Sequence, residues 1–288
     1  MKRLLYILTL LILILPLTSF AQEGLVMMSS VDSTSVRLRW SPKNYRIWQV
    51  ANKFGYTMKR FTFDRELNLT LDLTKQFKPL SIDEWEPIAD TNDRAAVVAQ
   101  AMFGSSFELA NDNSSIIQMI NLAQEQDMRF SFAMLMAAQD FELACQMGLG
   151  DCQQIEADKK YLYRIFIDAP DSIAKCDTGG CIVTIDDIPQ MVNILDLDAV
   201  YINGRIEIRW PKIVNEDYFV GYYVERSSDS VNFKRINNTL FVPFDDKSYV
   251  RNYMFSDTVE NVGDKYYYRI QGVNFFGEYS KYSPVASV

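Results

Sequence analysis

One short pattern occurs twice, and it limits what this chain can fold into more than any other feature. Tyr161–Ile165 reads YLYRI and Tyr266–Ile270 reads YYYRI, each behind a lysine-bearing lead, Asp158-Lys159-Lys160 and Asp264-Lys265. Aromatic and β-branched residues fall on alternate positions, which is the period of a strand with one buried face. Recurrence about a hundred residues apart marks a duplicated unit.

The duplication extends upstream. Val36, Leu38 and Trp40 alternate with Arg37 and Arg39, as Ile206, Ile208 and Trp210 alternate with Glu207 and Arg209; Pro42 and Pro211 follow. Each run gives one buried and one wet face, and makes Trp40 and Trp210 structural core residues. Gly55-Tyr56-Thr57-Met58-Lys59-Arg60 then matches Gly221-Tyr222-Tyr223-Val224-Glu225-Arg226.

The copies differ in the middle. Arg226 to Tyr266 leaves room only for sheet strands, whereas Arg60 to Tyr161 holds about 60 residues more, which must be an insertion. From Asp90 to Gly148 there is no proline, and Ala, Met, Gln and Leu dominate. Thr91 is a candidate cap for a helix with Ala95, Val98, Ala99 and Met102 on one face and Gly104 as its stop. A second helix is expected from Asn113 or Ser114. A third is expected to carry Phe130, Met134, Ala137, Phe141, Ala144 and Cys145 on one face and to end at Gly148. The methionines Met102, Met119, Met128, Met134, Met136 and Met147 suit either core filling or an adaptable binding face, and core filling is the better supported.

These strands, together with Val273-Asn274-x-x-Gly277-Glu278-x-Ser280, resemble a fibronectin type III domain. The tryptophan strands resemble strand B, the Gly-Tyr strands strand C, and the Tyr-x-Tyr-Arg-Ile strands strand F. Ser-x-Asp-x-x-Asn-Phe from Ser227 to Phe233 resembles the turn into strand C′. The stretch FAMLMAAQDFELACQMGLGD resembles a helical insert of some exported bacterial type III proteins.

The resemblance spans nearly all of residues 24–288. It implies a mainly β chain of two tandem immunoglobulin-like β-sandwiches, the first interrupted by an α-helical insertion: a leader at 1–21, a first domain at 22–187 with the insertion at about 88–150, and a second domain at 188–288. Tyr161 and Tyr266 become tyrosine corners. The BC, DE and FG loops share one end of such a domain. In the second copy they are Pro211–Phe219, Pro243–Asn252 and Asn274–Tyr279, with Phe275, Phe276 and Tyr279 as candidate anchors for a partner.

Lys2 and Arg3 precede the apolar run Leu4–Leu17 and then Ser19-Phe20-Ala21, the layout of a secretory signal peptide. The run is too short for a spanning helix, so no stable membrane insertion is expected after its removal. Cleavage takes away two basic groups and turns the net charge of −8 into −10, with 27 basic against 37 acidic residues. That acidity argues against nucleic acid as a partner.

Four cysteines, Cys145, Cys152, Cys176 and Cys181, fall in one window. In an oxidising compartment they favour two disulfides. Cys145 with Cys152 and Cys176 with Cys181 is the preferred pairing, because Asp-Thr-Gly-Gly between the latter two reads as a hairpin turn. Two other pairings and a tetrathiolate zinc site stay open.

Histidine is absent, which excludes Ser-His-Asp and Cys-His catalysis and histidine-ligated zinc. The acidic pairs Asp83-Glu84, Asp186-Asp187 and Asp245-Asp246 are adjacent residues that point apart on a strand, so they form no hydrolytic dyad. No catalytic, cofactor or metal residue is therefore assigned. The expected function is a non-catalytic extracytoplasmic interaction, adhesion or scaffold protein binding a protein or glycan at the cell envelope, its oligomeric state open. The alternative is a carbohydrate-binding accessory module of a polysaccharide-degrading system. The helical insertion is the segment expected to set partner choice.

Overall fold

The computed structural model describes residues 24–64, 66–105, 115–188, 192–212, 218–243, 251–259, 261 and 263–288, with side chains of the helix starting at Ser115 described from residue 121. The expected leader, Asp245-Asp246, the Met119 side chain and most of the BC and DE loops of the second copy lie outside these residues.

The chain is mainly β and builds two sandwiches on one plan. In the first, β1 (Leu25–Val31), β2 (Ser35–Pro42) and β5 (Gly150–Gln154) form one antiparallel sheet, and β4 (Leu69–Phe77), β3 (Tyr56–Phe63), β6 (Lys160–Ile167) and β7 (Gly179–Val183) the other. In the second, β8 (Asp198–Ile202), β9 (Arg205–Pro211) and β12 (Asn252–Asp257) face β11 (Lys234–Arg235), β10 (Phe219–Ser227), β13 (Tyr267–Asn274) and β14 (Ala286–Ser287). Both have the three-plus-four strand order of a type III domain.

Each sandwich closes on its tryptophan. Trp40 meets Phe77 edge-on at 4.9 Å, and Trp210 meets Tyr222 at 5.0 Å, both indoles being buried. The Tyr161 hydroxyl accepts a hydrogen bond from the Glu156 amide at 3.2 Å, and the Tyr266 hydroxyl donates to the Asn261 carbonyl at 3.2 Å. The corners thus share a position but not a polarity.

Among the described residues the first sandwich carries five α-helices: α1 (Tyr45–Phe54) between β2 and β3, and α2 (Ile82–Ala89), α3 (Asp93–Phe103), α4 (Ser115–Gln139) and α5 (Phe141–Gln146) between β4 and β5. α1 was not expected from sequence; Asn44 caps it by accepting from the Ile47 amide, and Ile47, Trp48 and Ala51 face the core. The insertion begins earlier than expected, at a Ser81–Glu84 capping box ahead of Trp85, which is buried. Asn92, one residue after Thr91, caps α3. The single helix expected through Phe130–Cys145 is two, because Asp140 accepts from the Glu142 and Leu143 amides and starts α5.

These helices are not an appendage. Trp85, Ala95, Val98, Ala133, Ala137, Leu143 and Met147 belong to one buried cluster with Leu38, Trp40, Tyr56 and Tyr163, whereas the second sandwich has its own cluster around Trp210.

Strand β4 is irregular. Arg60 stands opposite Leu73 and Phe61 opposite Leu71, so Asp72 is an extra residue, a bulge. Alternation would put Leu69, Leu71 and Leu73 on one face; the bulge leaves Leu73 toward the core and turns Leu69 and Leu71 outward.

Candidate interaction site

The two sandwiches meet at the loop Asn274–Tyr279. Asn274 shapes it by accepting from the Phe276 and Glu278 amides at 2.9 and 3.0 Å, and Gly277 adopts a φ of 75°. The loop lies on β2 and on the junction of α4 and α5. Glu278 pairs with Arg37, whose guanidinium stands 5.7 Å from the Phe141 ring and 5.6 Å from that of Phe276. Arg39, only 3% exposed, donates to the carbonyls of Phe275 and Met134. Burial pulls its pKa down to about 10.

This geometry corrects the expectation for the loop as a free binding tip. Phe276 is buried against Phe141 at 5.9 Å and Phe275 is half-buried, because the first sandwich supplies the apolar surface they would otherwise seek in a partner. Tyr279 alone is exposed, stacked on Tyr223 at 6.1 Å. Beyond it a cation–aromatic series covers the outer face of the second sandwich. Arg235 lies 3.6 Å over Tyr223, and Arg269 sits 3.8 Å from Tyr282 and 4.2 Å from Phe233.

No disulfide joins any of the four cysteines, all of which lie among the described residues. The expected hairpin between Cys176 and Cys181 is absent. Asp177 is bridged to Gly24 and Gly179–Val183 is strand β7, so the segment runs extended. Five extended residues span roughly 16 Å, against the limit of about 7 Å between Cα atoms for a disulfide. Cys145 lies in the last turn of α5 and Cys152 stands exposed on β5. Burial pushes the Cys145 and Cys181 thiols up to about 11.

The described acidic pairs serve turns. Glu84 closes the Ser81 box, and Asp187 accepts from the Thr184 amide at 2.7 Å. Among the described residues no group of three or more potential ligands is placed to hold a metal ion, and no helix is long and apolar enough to cross a membrane.

What the structure assembles instead is a concave surface on the insertion. Arg129 of α4 fixes α4 against α3. It pairs with Glu125 and donates to the carbonyls of Gly104 and Ser105 at 2.7 and 2.6 Å, satisfying the C-terminal end of α3. Beside it runs a groove of about 390 Å³, lined by Ala96, Val97 and Ala101 of α3 and by Met128 and Phe132 of α4. Val97, Met128 and Phe132 are 40%, 52% and 48% exposed. Val97 and Phe132 also border a cleft of about 840 Å³ that continues between α3, α4 and the second sandwich, with Arg94, Gln139, Tyr223 and Asn238 in its walls. Of the methionines singled out by sequence, Met147 is buried, Met102, Met134 and Met136 pack on the core, and Met128 reaches the groove.

No family model matches the chain. No curated protein matches it either. Solved structures do. An Fn3-like protein from Clostridium thermocellum is 22% identical, with 34% of this chain and 90% of that chain covered and a TM-score of 0.26. The pectate lyase Pel3 from Pectobacterium carotovorum is 17% identical over 32% of this chain and only 25% of its own length, with a TM-score of 0.25. The chicken interferon gamma receptor alpha chain is 9% identical over 93% of this chain and 98% of that one, with a TM-score of 0.28.

Proposed function

We propose that the protein is a non-catalytic, extracytoplasmic interaction protein whose helical insertion, carried on a pair of docked sandwiches, engages a protein partner. The observation that carries this reading is the α3–α4 groove, where Val97, Met128 and Phe132 stay exposed although the adjoining helices share a buried core. Apolar side chains gathered in a concave surface at a junction of units are the usual anchor of a binding site. Export rests on the basic start, short apolar run and Ser-Phe-Ala of residues 1–21.

A second reading, glycan binding, draws on the neighbouring cleft. Its amides Gln139 and Asn238 are groups that hold sugar hydroxyls.

The test is crosslinking capture from the native envelope with the full chain and with a Val97→Asp/Phe132→Asp double variant, alongside a glycan array. The expected result is a defined partner lost from the variant, which keeps the parent melting temperature. Unchanged capture by the variant rejects the groove. Array binding abolished by Asn238→Ala favours the glycan reading.

A further inference from the structure

The solvent face of the first sandwich's four-stranded sheet carries an apolar row where such faces are normally polar. Along β3, Tyr56 and Met58 are buried, so Lys59, Phe61 and Phe63 turn outward. Register continues that row across all four strands: Leu71 and Leu162 flank Phe61, and Ile182 stands opposite Leu162. Leu69 and Leu71 are each 48% exposed and Ile182 is 51% exposed. The Asp72 bulge is what places the two leucines there.

The row ends at an open edge. β4 pairs only with β3, and none of the described residues bonds to its other side. Proteins ordinarily blunt such edges with short strands, proline, outward charge or bulges, and the one bulge of β4, at Asp72, leaves the rest of the edge straight. The second sandwich does so, its corresponding edge being the two-residue Lys234–Arg235. β4 instead has nine residues and no proline. Its two charges are engaged within the fold, Asp72 by Arg60 and Thr62 and Lys75 by Asp151. Beyond the bulge, Leu73–Phe77 pair with β3 in unbroken register.

Charge narrows the occupant further. The outward residues of these strands include Lys59, Lys160 and Arg164 and no carboxylate, in a chain of net charge −8. Lys59 lies 5.4 Å over the Phe166 ring and Lys160 lies 5.6 Å over that of Phe63, and among the described residues neither has a carboxylate partner.

We propose that this face and edge bind an extended segment of a partner protein, added as a fifth strand beside β4. Its apolar residues continue the row of Leu71, Phe61, Leu162 and Ile182, and its acidic residues meet Lys59, Lys160 and Arg164. Strand addition matches the unpaired main chain, and acidic flanks match the cations. A second copy is disfavoured because it would bring two identical basic faces together.

The probe is a library of random dodecapeptides panned on the full chain, with Leu71→Glu as counter-target. Leu71 is exposed, so this variant keeps the fold, which its melting curve checks. Enriched peptides are expected to alternate apolar residues between acidic ends, to protect β4 amides from hydrogen exchange, and to bind Leu71→Glu about tenfold or more weakly. Binding is expected to be unaffected by Val97→Asp/Phe132→Asp, which separates this surface from the groove on the insertion. The proposal is overturned by no enrichment, by equal affinity for Leu71→Glu, by preferential binding to phosphatidylglycerol vesicles, or by a concentration-dependent dimer that Leu71→Glu abolishes.

Discussion

The carbonyl oxygen of Gln139 lies 2.7 Å from where a Cβ on Gly277 would stand. The end of α4 and the loop of the second sandwich therefore touch main chain to main chain, at a residue whose φ of 75° disfavours any side chain. Gly277→Ala is expected to cost about 1–3 kcal/mol from strain and displacement together. Urea denaturation measures the loss, and hydrogen exchange at Phe275–Glu278 is expected to rise in the same variant. An unchanged midpoint would mean the two units do not hold this contact in solution.

The tyrosine corners are expected to differ in strength. Tyr161 is 2% exposed and its oxygen accepts a main-chain amide, so Tyr161→Phe strands a donor and should cost about 1–3 kcal/mol. Tyr266 is only half-buried, and water can replace its bond to Asn261, so Tyr266→Phe should cost about 1 kcal/mol or less. Equal midpoints for the two variants would contradict this ordering.

How much of this was legible in the residues follows from where the signals were local. Trp40, Trp210 and the Tyr-x-Tyr-Arg-Ile strands are periodic and lie in the strands expected of them. The Asp140 break was hidden because Phe130–Cys145 keep helical spacing across it; the signal was the capping aspartate itself. The fate of Phe275 and Phe276 could not be read at all, since their burial depends on Arg37, Arg39 and Phe141, far away in sequence. The Asp72 bulge is likewise invisible to alternation, which counts residues and not registers.

Stability is expected to fall between pH 9 and 11. Burial raises the Cys145 and Cys181 thiols from 9.0 to about 11, so the unfolded chain ionises first and binds fewer protons between those values. That stabilisation is complete below pH 9 and is lost as pH rises toward 11. Tyr163, pushed by burial to about 12, extends the decline. Urea midpoints across this range should drop, and a Cys145→Ala/Cys181→Ala chain should drop less between pH 9 and 11.

The insertion should be inseparable from the first sandwich. Trp85 is buried in the cluster that holds Trp40, so Trp85→Ala is expected to cost about 3–5 kcal/mol. Replacing residues 82–148 with a Gly-Ser turn should unfold the first unit while the second keeps its near-ultraviolet circular dichroism from Trp210. A fully folded deletion chain would show that the insertion is dispensable to the core.

The placement of the helices α2 to α5 between β4 and β5 also sets an order in time. β2 cannot acquire its neighbour β5 until the chain has passed through the whole insertion, whereas β9 finds β12 after a far shorter interval. Closing a longer loop is slower, because its entropy is lost before the contacts form. On refolding of the whole chain the first sandwich is thus expected to close after the second, with the Asn274–Tyr279 loop formed before the surface it docks on is complete.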